Sequence, residues 1–197
     1  MNYLAHAWLS FNQPEILVGN MISDFVKGKT RFSFSERIQQ GIMLHRSIDE
    51  FTDTHDATKQ AKKFFKPVVG LYAGAFVDIA YDHFLANDNS EFDNDESLLH
   101  FSLSAYEILN NYADILPEKF ARMLPYMENN NWLFNYKTFY GTEQSFKGLM
   151  RRAKYLESNS AVFTAFQKNY PALQVCYTSF FPDVKSFAFK KFSNMTV

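Results

Sequence analysis

The chain has 197 residues, of which 47% are hydrophobic, and its formal net charge is -1. This length and apolar content suffice for one domain with a substantial core. The near-zero charge argues against non-specific binding along nucleic acid. The single cysteine, Cys176, excludes an intrachain disulfide and fits a reducing cytosol. The start of the chain lacks a basic n-region, and no run of about 18 uncharged apolar residues occurs. We therefore predict a cytoplasmic protein without a membrane span or a nucleic-acid partner.

The first part of the chain predicts helices, because breakers are few and apolar residues recur at helical spacing. Asn2 is expected to cap a short first helix that contains His6. A second helix is predicted over about 14–27, with Gly28 just beyond its end. Asp24 lies in its last turn, where the helix dipole disfavours a carboxylate. This unfavourable placement hints that Asp24 has a function.

A third helix is predicted to begin near Ser33 and Glu36, which have the spacing of a capping box, and to end near residue 52. His45 and Asp49 lie four residues apart and therefore on one face of this helix, with Asp53 at its end. The same stripe continues into apolar positions, so it is expected to face inward. Burying an unpaired carboxylate costs several kcal/mol. A metal ion, basic partners or water in a cleft must then compensate these charges.

The rest of the chain is also predicted to be helical. A fourth helix, capped by Thr54 or Asp56, is expected to end near residues 66–67, and an apolar fifth helix to span about 68–86. The acidic segment 87–97 is predicted to be a loop. Further helices are predicted at about 97–113, 117–130, 142–157, 159–179 and 182–193. We predict a single all-α domain over 1–197, with a site mainly from residues 1–86 and an aromatic second half, 97–197.

The ionisable residues concentrate in the first half of the chain, which holds four of the five histidines. Imidazoles and carboxylates on several helices are typical of a site for Mn²⁺, Mg²⁺ or Fe²⁺ in a helical bundle, and no thiolate set exists for structural zinc. The alternative for His45 and Asp49 is an ordinary hydrogen-bonded pair, and for His6 a buried core histidine. The candidates in this half are His6, Asp24, His45, Asp49, Asp78, Asp82 and His83.

Two basic clusters accompany these acids in the sequence. The first comprises Lys27, Lys29 and Arg31, and Arg46 follows on the third helix. The second lies in the GLMRRAKYL segment and comprises Arg151, Arg152 and Lys154. Such charges usually form a solvated surface, and the alternative is a patch that binds phosphate or an acidic partner.

Four segments together resemble the acyl carrier protein phosphodiesterases, also called ACP hydrolases. They are NYLAHAWLS, GNMISDFVKG, GIMLHRSIDEFTD and the Asp82-His83-Phe84-Leu85 end of the fifth helix, with weaker similarity in NNWLFNY and GLMRRAKYL. The resemblance covers nearly the whole chain in order. It implies removal of the 4′-phosphopantetheine arm from holo-acyl carrier protein, with Mn²⁺ as the preferred cation and Mg²⁺, Fe²⁺ or Co²⁺ as alternatives.

The resemblance also implies a distorted HD-domain-like helical bundle, because this family is regarded as a divergent relative of the HD-domain phosphohydrolases. The chain departs from that pattern, since the adjacent pair is reversed as Asp82-His83. The nearest analogue in spacing is His45 with Asp49. The exact ligands and the number of metal ions therefore stay open.

We assign roles on this basis. The expected metal ligands are His6, Asp24, His45 and Asp82, followed by Asp78. The expected catalytic residues are Asp24, His45, Asp49 and His83. Lys27 and Arg46 are expected to contact phosphate, and the carrier protein is expected to dock on Lys27, Lys29, Arg31, Arg151 and Arg152. The alternative functions are an HD-like phosphohydrolase of nucleotides or other small phosphodiesters, and a non-catalytic helical binding module.

Overall fold

The computed structural model describes residues 1–153 and 161–195. The described residues contain eleven α-helices and no strand, which confirms the all-α prediction. Four short 3-10 turns cover Ser23–Phe25, Gly28–Ser33, Gly70–Tyr72 and Ala113–Ile115. The α-helices are α1 (Tyr3–Trp8), α2 (Pro14–Ile22), α3 (Glu36–Thr54), α4 (Asp56–Val69), α5 (Ala73–Ala86), α6 (Asp95–Asn111), α7 (Glu118–Asn129), α8 (Trp132–Asn135), α9 (Phe139–Arg152), α10 (Ala161–Lys168) and α11 (Tyr170–Ser193).

The helices α2 and α3 cross at two glycines, and this crossing positions the candidate site. A Cβ atom added to Gly19 would lie 2.1 Å from the backbone oxygen of Ile38, and one added to Gly41 would lie 2.4 Å from that of Ile16. Only glycine permits so close a backbone approach. Asn20 on α2 and His45 on α3 lie within four residues of these glycines, so the crossing fixes the helix segments that carry them.

The helix α2 ends five residues earlier than the sequence predicted, at Ile22 rather than near Lys27. The hydroxyl of Ser23 donates to the carbonyl of Ile42, and the chain continues as a 3-10 turn over Ser23–Phe25. Gly28 then adopts a positive φ of 55°. Asp24 therefore lies beyond the α-helix, in a turn against α3, and not in a last α-helical turn.

Two helix boundaries that were predicted at prolines are wrong. The helix α11 runs unbroken through Pro182, where the sequence predicted a break, and α4 runs through Pro67 to Val69. Buried Phe180 and Val184 anchor α11 on both sides of Pro182, so packing outweighs the lost backbone hydrogen bond. The predicted loop 87–97 also ends early, because a capping box at Asn94 starts α6. Residues 154–157 of the predicted helix 142–157, and residues 159 and 160 of the predicted helix 159–179, lie outside the described residues.

The stretch Asp56–Ala86 is long and apolar enough, by length and composition alone, to resemble a membrane span. It is divided at Gly70, whose φ is 56°, into α4 and α5. Phe65 and Phe76 from its two parts are fully buried and contact each other. Most residues of α5 are buried in the protein core, which accounts for the apolar composition of this second part.

The two halves of the chain pack against each other. The long helix α11 lies against α3, α4 and α5, and α9 lies against α5. Phe146 of α9 contacts Phe65 and Phe76, while Phe180 of α11 stacks on Tyr81. This packing is consistent with the predicted single domain. The single-domain organisation and the HD-like detail of the fold both stay predictions.

Candidate active site

Two imidazoles and a carboxylate meet between α1 and α3. The rings of His6 and His45 stack with centroids 3.8 Å apart. Asp49 bridges them, because one carboxylate oxygen lies 3.1 Å from His6 Nε2 and the other 3.1 Å from His45 Nε2. Ligand atoms from these three residues lie within 4.8 Å of one another, close enough to hold one metal ion.

Asp24 completes this group from the solvent side. Its Oδ1 lies 3.3 Å from His45 Nε2, so two carboxylates share that nitrogen. The side chain of Asp24 is 73% exposed and that of Asp49 is 41% exposed, whereas the two imidazoles are buried. The site is therefore a buried pair of nitrogens beneath a rim of carboxylates that water can reach.

The charges of this group depend on one another. Burial lowers the pKa of His45, but hydrogen bonds to Asp24 and Asp49 outweigh it and raise the pKa to about 9. Burial and the neighbouring charge of His45 lower the pKa of His6 to about 4. The pKa of Asp24 is lowered, chiefly by its hydrogen bond to His45. At neutral pH His6 is thus neutral, while His45 is an imidazolium between carboxylates.

Asp82, which was expected to bind a metal ion, instead binds the backbone of α1. Its carboxylate is fully buried and accepts hydrogen bonds from the backbone N–H groups of Asn2, Leu4 and Ala5, at 3.4, 2.8 and 3.2 Å. It thereby caps the N-terminus of α1, the role that the sequence predicted for Asn2. The side chain of Asn2 instead donates to the hydroxyl of Tyr136. Asp82 therefore fixes the helix that carries His6.

Asp78 also stands apart from the imidazoles. Its Oδ1 lies 3.1 Å from the ammonium group of Met1, which is itself 3.4 Å from Asp49 Oδ1. Burial raises the pKa of Asp78, although the ammonium acts against this shift. The ammonium group lies between the two carboxylates and compensates their charge.

His83 lies in a separate aromatic cluster. Consecutive residues on a helix point about 100° apart, so His83 and Asp82 face different neighbours. The Nδ1 of His83 lies 2.8 Å from the carbonyl of Tyr136 and 3.0 Å from the hydroxyl of Thr142. The Nε2 of His83 lies 3.0 Å from the hydroxyl of Tyr170. The structure does not bring His83 to the imidazole pair.

We expect His83 to make the protein sensitive to acid. Burial lowers its pKa from 6.5 to about 4, so the folded protein favours the neutral ring. This contribution to stability is complete above pH 6.5 and is lost as the pH falls towards 4, by about 1.4 kcal/mol per pH unit. Denaturant unfolding of wild type and His83→Gln between pH 4 and 7 measures it. Wild type should show the steeper loss, and equal slopes would contradict the prediction.

The first basic cluster lies in the chain segment that directly follows Asp24. Lys27 and Lys29 are exposed in the turn that follows Asp24. The guanidinium of Arg46 donates to the carbonyl of Val26 at 3.1 Å and so holds this turn against α3. In the same turn Arg31 is half-buried, contacts the sulfur of Met43 and lies over the ring of Phe32.

The second basic cluster reaches the same region from α9. Arg151 and Arg152 are exposed at the end of this helix. Burial raises the pKa of the Tyr3 phenol, the charge of Arg152 acts against this shift, and the charge of Asp24 adds to it. The second half of the chain therefore contributes a cation near the rim of the site.

Sequence reasoning missed two neighbours of the site. Asn20 is completely buried and contacts His6, and the pKa of Tyr3 responds to the charges of both Arg152 and Asp24. A signal for Asn20 was available, because it is a polar residue within an apolar run and lies four positions before Asp24. Tyr3 carried no comparable signal.

The fold and the site together define an all-α protein with a candidate His/Asp metal centre. A family model described as acyl carrier protein phosphodiesterase matches residues 1–184. A protein of that name from Photorhabdus laumondii is 30% identical over 182 residues, which is 92% of each chain. Relatives of the same name from Yersinia enterocolitica and Escherichia coli are 29% and 28% identical, over 94% and 97% of this chain and 96% and 99% of their own. No solved structure matches the chain significantly.

The chain therefore belongs to the acyl carrier protein phosphodiesterase family, a family of phosphoric diester hydrolases. This membership makes the chain an enzyme, so we do not retain the alternative of a non-catalytic binding module.

Proposed function

We propose that the chain uses a divalent cation to hydrolyse the phosphodiester between 4′-phosphopantetheine and a serine of holo-acyl carrier protein. The family match over residues 1–184 carries this proposal. The group formed by His6, His45 and Asp49 supports its metal dependence. A cytoplasmic location belongs to the proposal, and the unpaired Cys176 is consistent with it.

The proposed ligands are His6 Nε2, His45 Nε2 and Asp49, with Asp24 as a fourth. The donor set fits the cation, because imidazole nitrogens and carboxylate oxygens together suit Mn²⁺ and related divalent ions. Mn²⁺ remains the first choice, with Mg²⁺, Fe²⁺ or Co²⁺ as alternatives. When bound, such a cation polarises a phosphoryl oxygen and makes a water molecule a better nucleophile.

This ligand set contains other carboxylates than the set expected from the sequence. Asp49 replaces Asp82 and Asp78, because it alone of the three contacts both imidazoles. Asp82 is fully engaged with the backbone of α1, and Asp78 with the ammonium of Met1. Both are proposed to position the site rather than to bind the cation.

The protein groups supply orientation and charge. Asp24 stays ionised at neutral pH and is largely exposed, so its free carboxylate oxygen can accept a hydrogen bond from an attacking water. Binding of a cation at His45 Nε2 requires the proton on that nitrogen to leave. The buried stack of rings beneath the rim excludes water from the far side of the site.

The basic residues are proposed to receive the carrier protein and its phosphate. Lys27, in the turn after Asp24, is the nearest exposed lysine in sequence and is proposed to contact phosphate. Arg46 is proposed to support it, because one guanidinium nitrogen already holds Val26. Carrier proteins are acidic, so electrostatic attraction would speed docking and weaken with salt. The proposed docking surface comprises Lys27, Lys29, Arg31, Arg151 and Arg152.

Reversing charge on this surface is expected to weaken docking more than chemistry. The double variant Lys27→Glu/Lys29→Glu should raise KM for the carrier protein by about 10-fold or more, with a smaller change in kcat. Steady-state kinetics at low and moderate salt measures both constants. Lys63→Glu on the exposed face of α4 is the matched control and should behave as wild type. Equal falls in kcat and kcat/KM would instead place these lysines in the chemical step.

A comparison of substrates tests the proposal against the HD-like alternative. The enzyme is loaded with Mn²⁺ and offered either holo-carrier protein or a small phosphodiester without any protein. We expect turnover of the carrier protein to exceed that of the small diester by orders of magnitude in kcat/KM. Equal rates would favour the phosphohydrolase of small phosphodiesters.

A further inference from the structure

A buried amide supports His6 from the side opposite Asp49. Asn20, on α2, is fully buried beside α1. Its side-chain nitrogen donates to the backbone carbonyl of His6 at 2.8 Å and to the hydroxyl oxygen of Ser10 at 3.1 Å. The hydroxyl of Ser10 donates in turn to the same carbonyl at 2.8 Å. The two bonds from Asn20 join α2 to the end of α1, and the bond from Ser10 closes the network within the α1 segment.

This network determines which way the amide of Asn20 points. The carbonyl of His6 can only accept hydrogen bonds, so the group that faces it must be the NH₂ of the amide. The amide oxygen, Oδ1, therefore faces the ring of His6 and lies 2.9 Å from Nδ1. Because Oδ1 is also only an acceptor, Nδ1 of His6 must carry a hydrogen to bond with it.

The consequence appears at the other ring nitrogen. In a neutral imidazole with hydrogen on Nδ1, Nε2 presents a lone pair. That lone pair points towards Asp49 Oδ1, 3.1 Å away. Two acceptors face each other at this distance, and the arrangement becomes favourable when a cation lies at the site.

We propose that Asn20 is a positioning residue that holds His6 in the Nδ1–H tautomer and so presents the Nε2 lone pair for cation binding. This inference rests on the proposed use of a divalent cation at His6. The partner of the second nitrogen commonly sets the tautomer and orientation of a metal-binding histidine. The bond from His6 Nδ1 to Asn20 Oδ1 has this function, whereas the bonds to the carbonyl and to Ser10 hold the helices together.

Three variants separate these two tasks. Asn20→Leu removes both the acceptor for His6 Nδ1 and the donors to the backbone. Asn20→Asp keeps an acceptor opposite Nδ1 but removes the donors. Ser10→Ala removes part of the helix-to-helix network and leaves the amide oxygen of Asn20 in place, so it is the control for a purely structural role.

The test measures the tautomer directly in metal-free protein with ¹⁵N-labelled histidine. Nitrogen NMR at pH 8 distinguishes protonated from unprotonated ring nitrogens, and loss of a signal in His6→Gln assigns the His6 ring. We expect wild type and Ser10→Ala to show hydrogen on Nδ1 and none on Nε2. Asn20→Asp adds a carboxylate opposite Nδ1 and should keep hydrogen on that nitrogen. Asn20→Leu should show hydrogen on Nε2, donated to Asp49. A wild-type ring with hydrogen on Nε2 would overturn the proposal.

Calorimetric titration with Mn²⁺ supplies the second measurement. The expected loss of affinity is about 10- to 100-fold for Asn20→Leu, and less than about threefold for Ser10→Ala. Equal losses in the two variants would reduce Asn20 to a structural residue. If Asn20→Leu does not fold, the wild-type and Asn20→Asp spectra still decide the question.

The two proposals fail in different ways. If wild type shows the expected tautomer but binds no divalent cation, the metal-dependent function fails while the tautomer assignment stands. If wild type binds Mn²⁺ but carries hydrogen on Nε2 of His6 in the metal-free state, the role of Asn20 fails alone.

Discussion

Asp49→Asn is expected to lower kcat by at least about 100-fold and to weaken Mn²⁺ binding by a similar factor. Asp49 is the only described residue whose carboxylate contacts both His6 Nε2 and His45 Nε2. Asparagine keeps the shape and one oxygen but loses the charge, so it cannot balance a divalent cation or the imidazolium of His45. The measurements are steady-state kinetics with holo-carrier protein and calorimetric titration with Mn²⁺.

Asp53→Asn provides the matched control for this prediction. Asp53 lies one turn further along α3 and pairs with Lys62 at 2.7 Å, and it contacts neither imidazole in the structure. Its substitution should leave kcat within about twofold of wild type, since exposed ion pairs contribute little. If Asp49→Asn retained wild-type kcat and Mn²⁺ affinity, the proposed ligand set would be wrong.

Gly41→Ala is expected to destabilise the protein by about 3 kcal/mol or more, at the upper end of overpacking costs. The added Cβ would lie 2.4 Å from the carbonyl oxygen of Ile16, a backbone atom that cannot move without shifting α2. For a domain of this size the fall in Tm should be about 6–12 °C. Thermal and denaturant unfolding measure these changes.

Gly148→Ala is the control for this substitution. Gly148 lies within α9, and among the described residues no heavy atom outside the local helix backbone lies within 4 Å of an added Cβ. Alanine there should stabilise the protein by about 0.4–1 kcal/mol, because it restricts the unfolded chain and favours the helix. A Gly41→Ala variant as stable as wild type would show that α2 and α3 do not require this close crossing.

The crossing links stability to the site. Any displacement of α2 moves Asn20 away from His6 and Asp24 away from His45, since α2 and its following turn carry the first member of each pair. We therefore expect Gly41→Ala to lose activity as well as stability. The glycine pair is in this sense part of the architecture that the site needs.

Much of the architecture followed from local sequence patterns. The all-helical class and the pairing of His45 with Asp49 both depend on periodicities of three to four residues, which act within one helix. The proximity of His6 to the third helix was expected from the concentration of histidines and acids in the first half of the chain and from the resemblance. The contact itself joins residues 43 positions apart, and helical periodicity carries no information about such a separation.

The sequence predictions were wrong where a contact with a distant part of the chain determines a helix cap or a helix end. Asp82 caps α1 from α5, a role that local rules assign to Asn2, and only the packed structure shows which residue reaches the helix end. Pro182 lies within a helix because buried neighbours compensate its missing hydrogen bond. The early end of α2 depends on the bond from Ser23 to α3. In each case the decisive partner is distant in sequence.

The most direct test of metal-dependent removal of phosphopantetheine is the intact mass of holo-carrier protein after incubation with the Mn²⁺-loaded enzyme. We predict loss of the phosphopantetheine mass, which a chelator abolishes and which Asp49→Asn nearly abolishes, while Asp53→Asn behaves as wild type. Holo-carrier protein that stays intact after prolonged incubation with the metal-loaded enzyme would contradict the proposed function. Undiminished loss of the mass in the presence of chelator would contradict the metal centre.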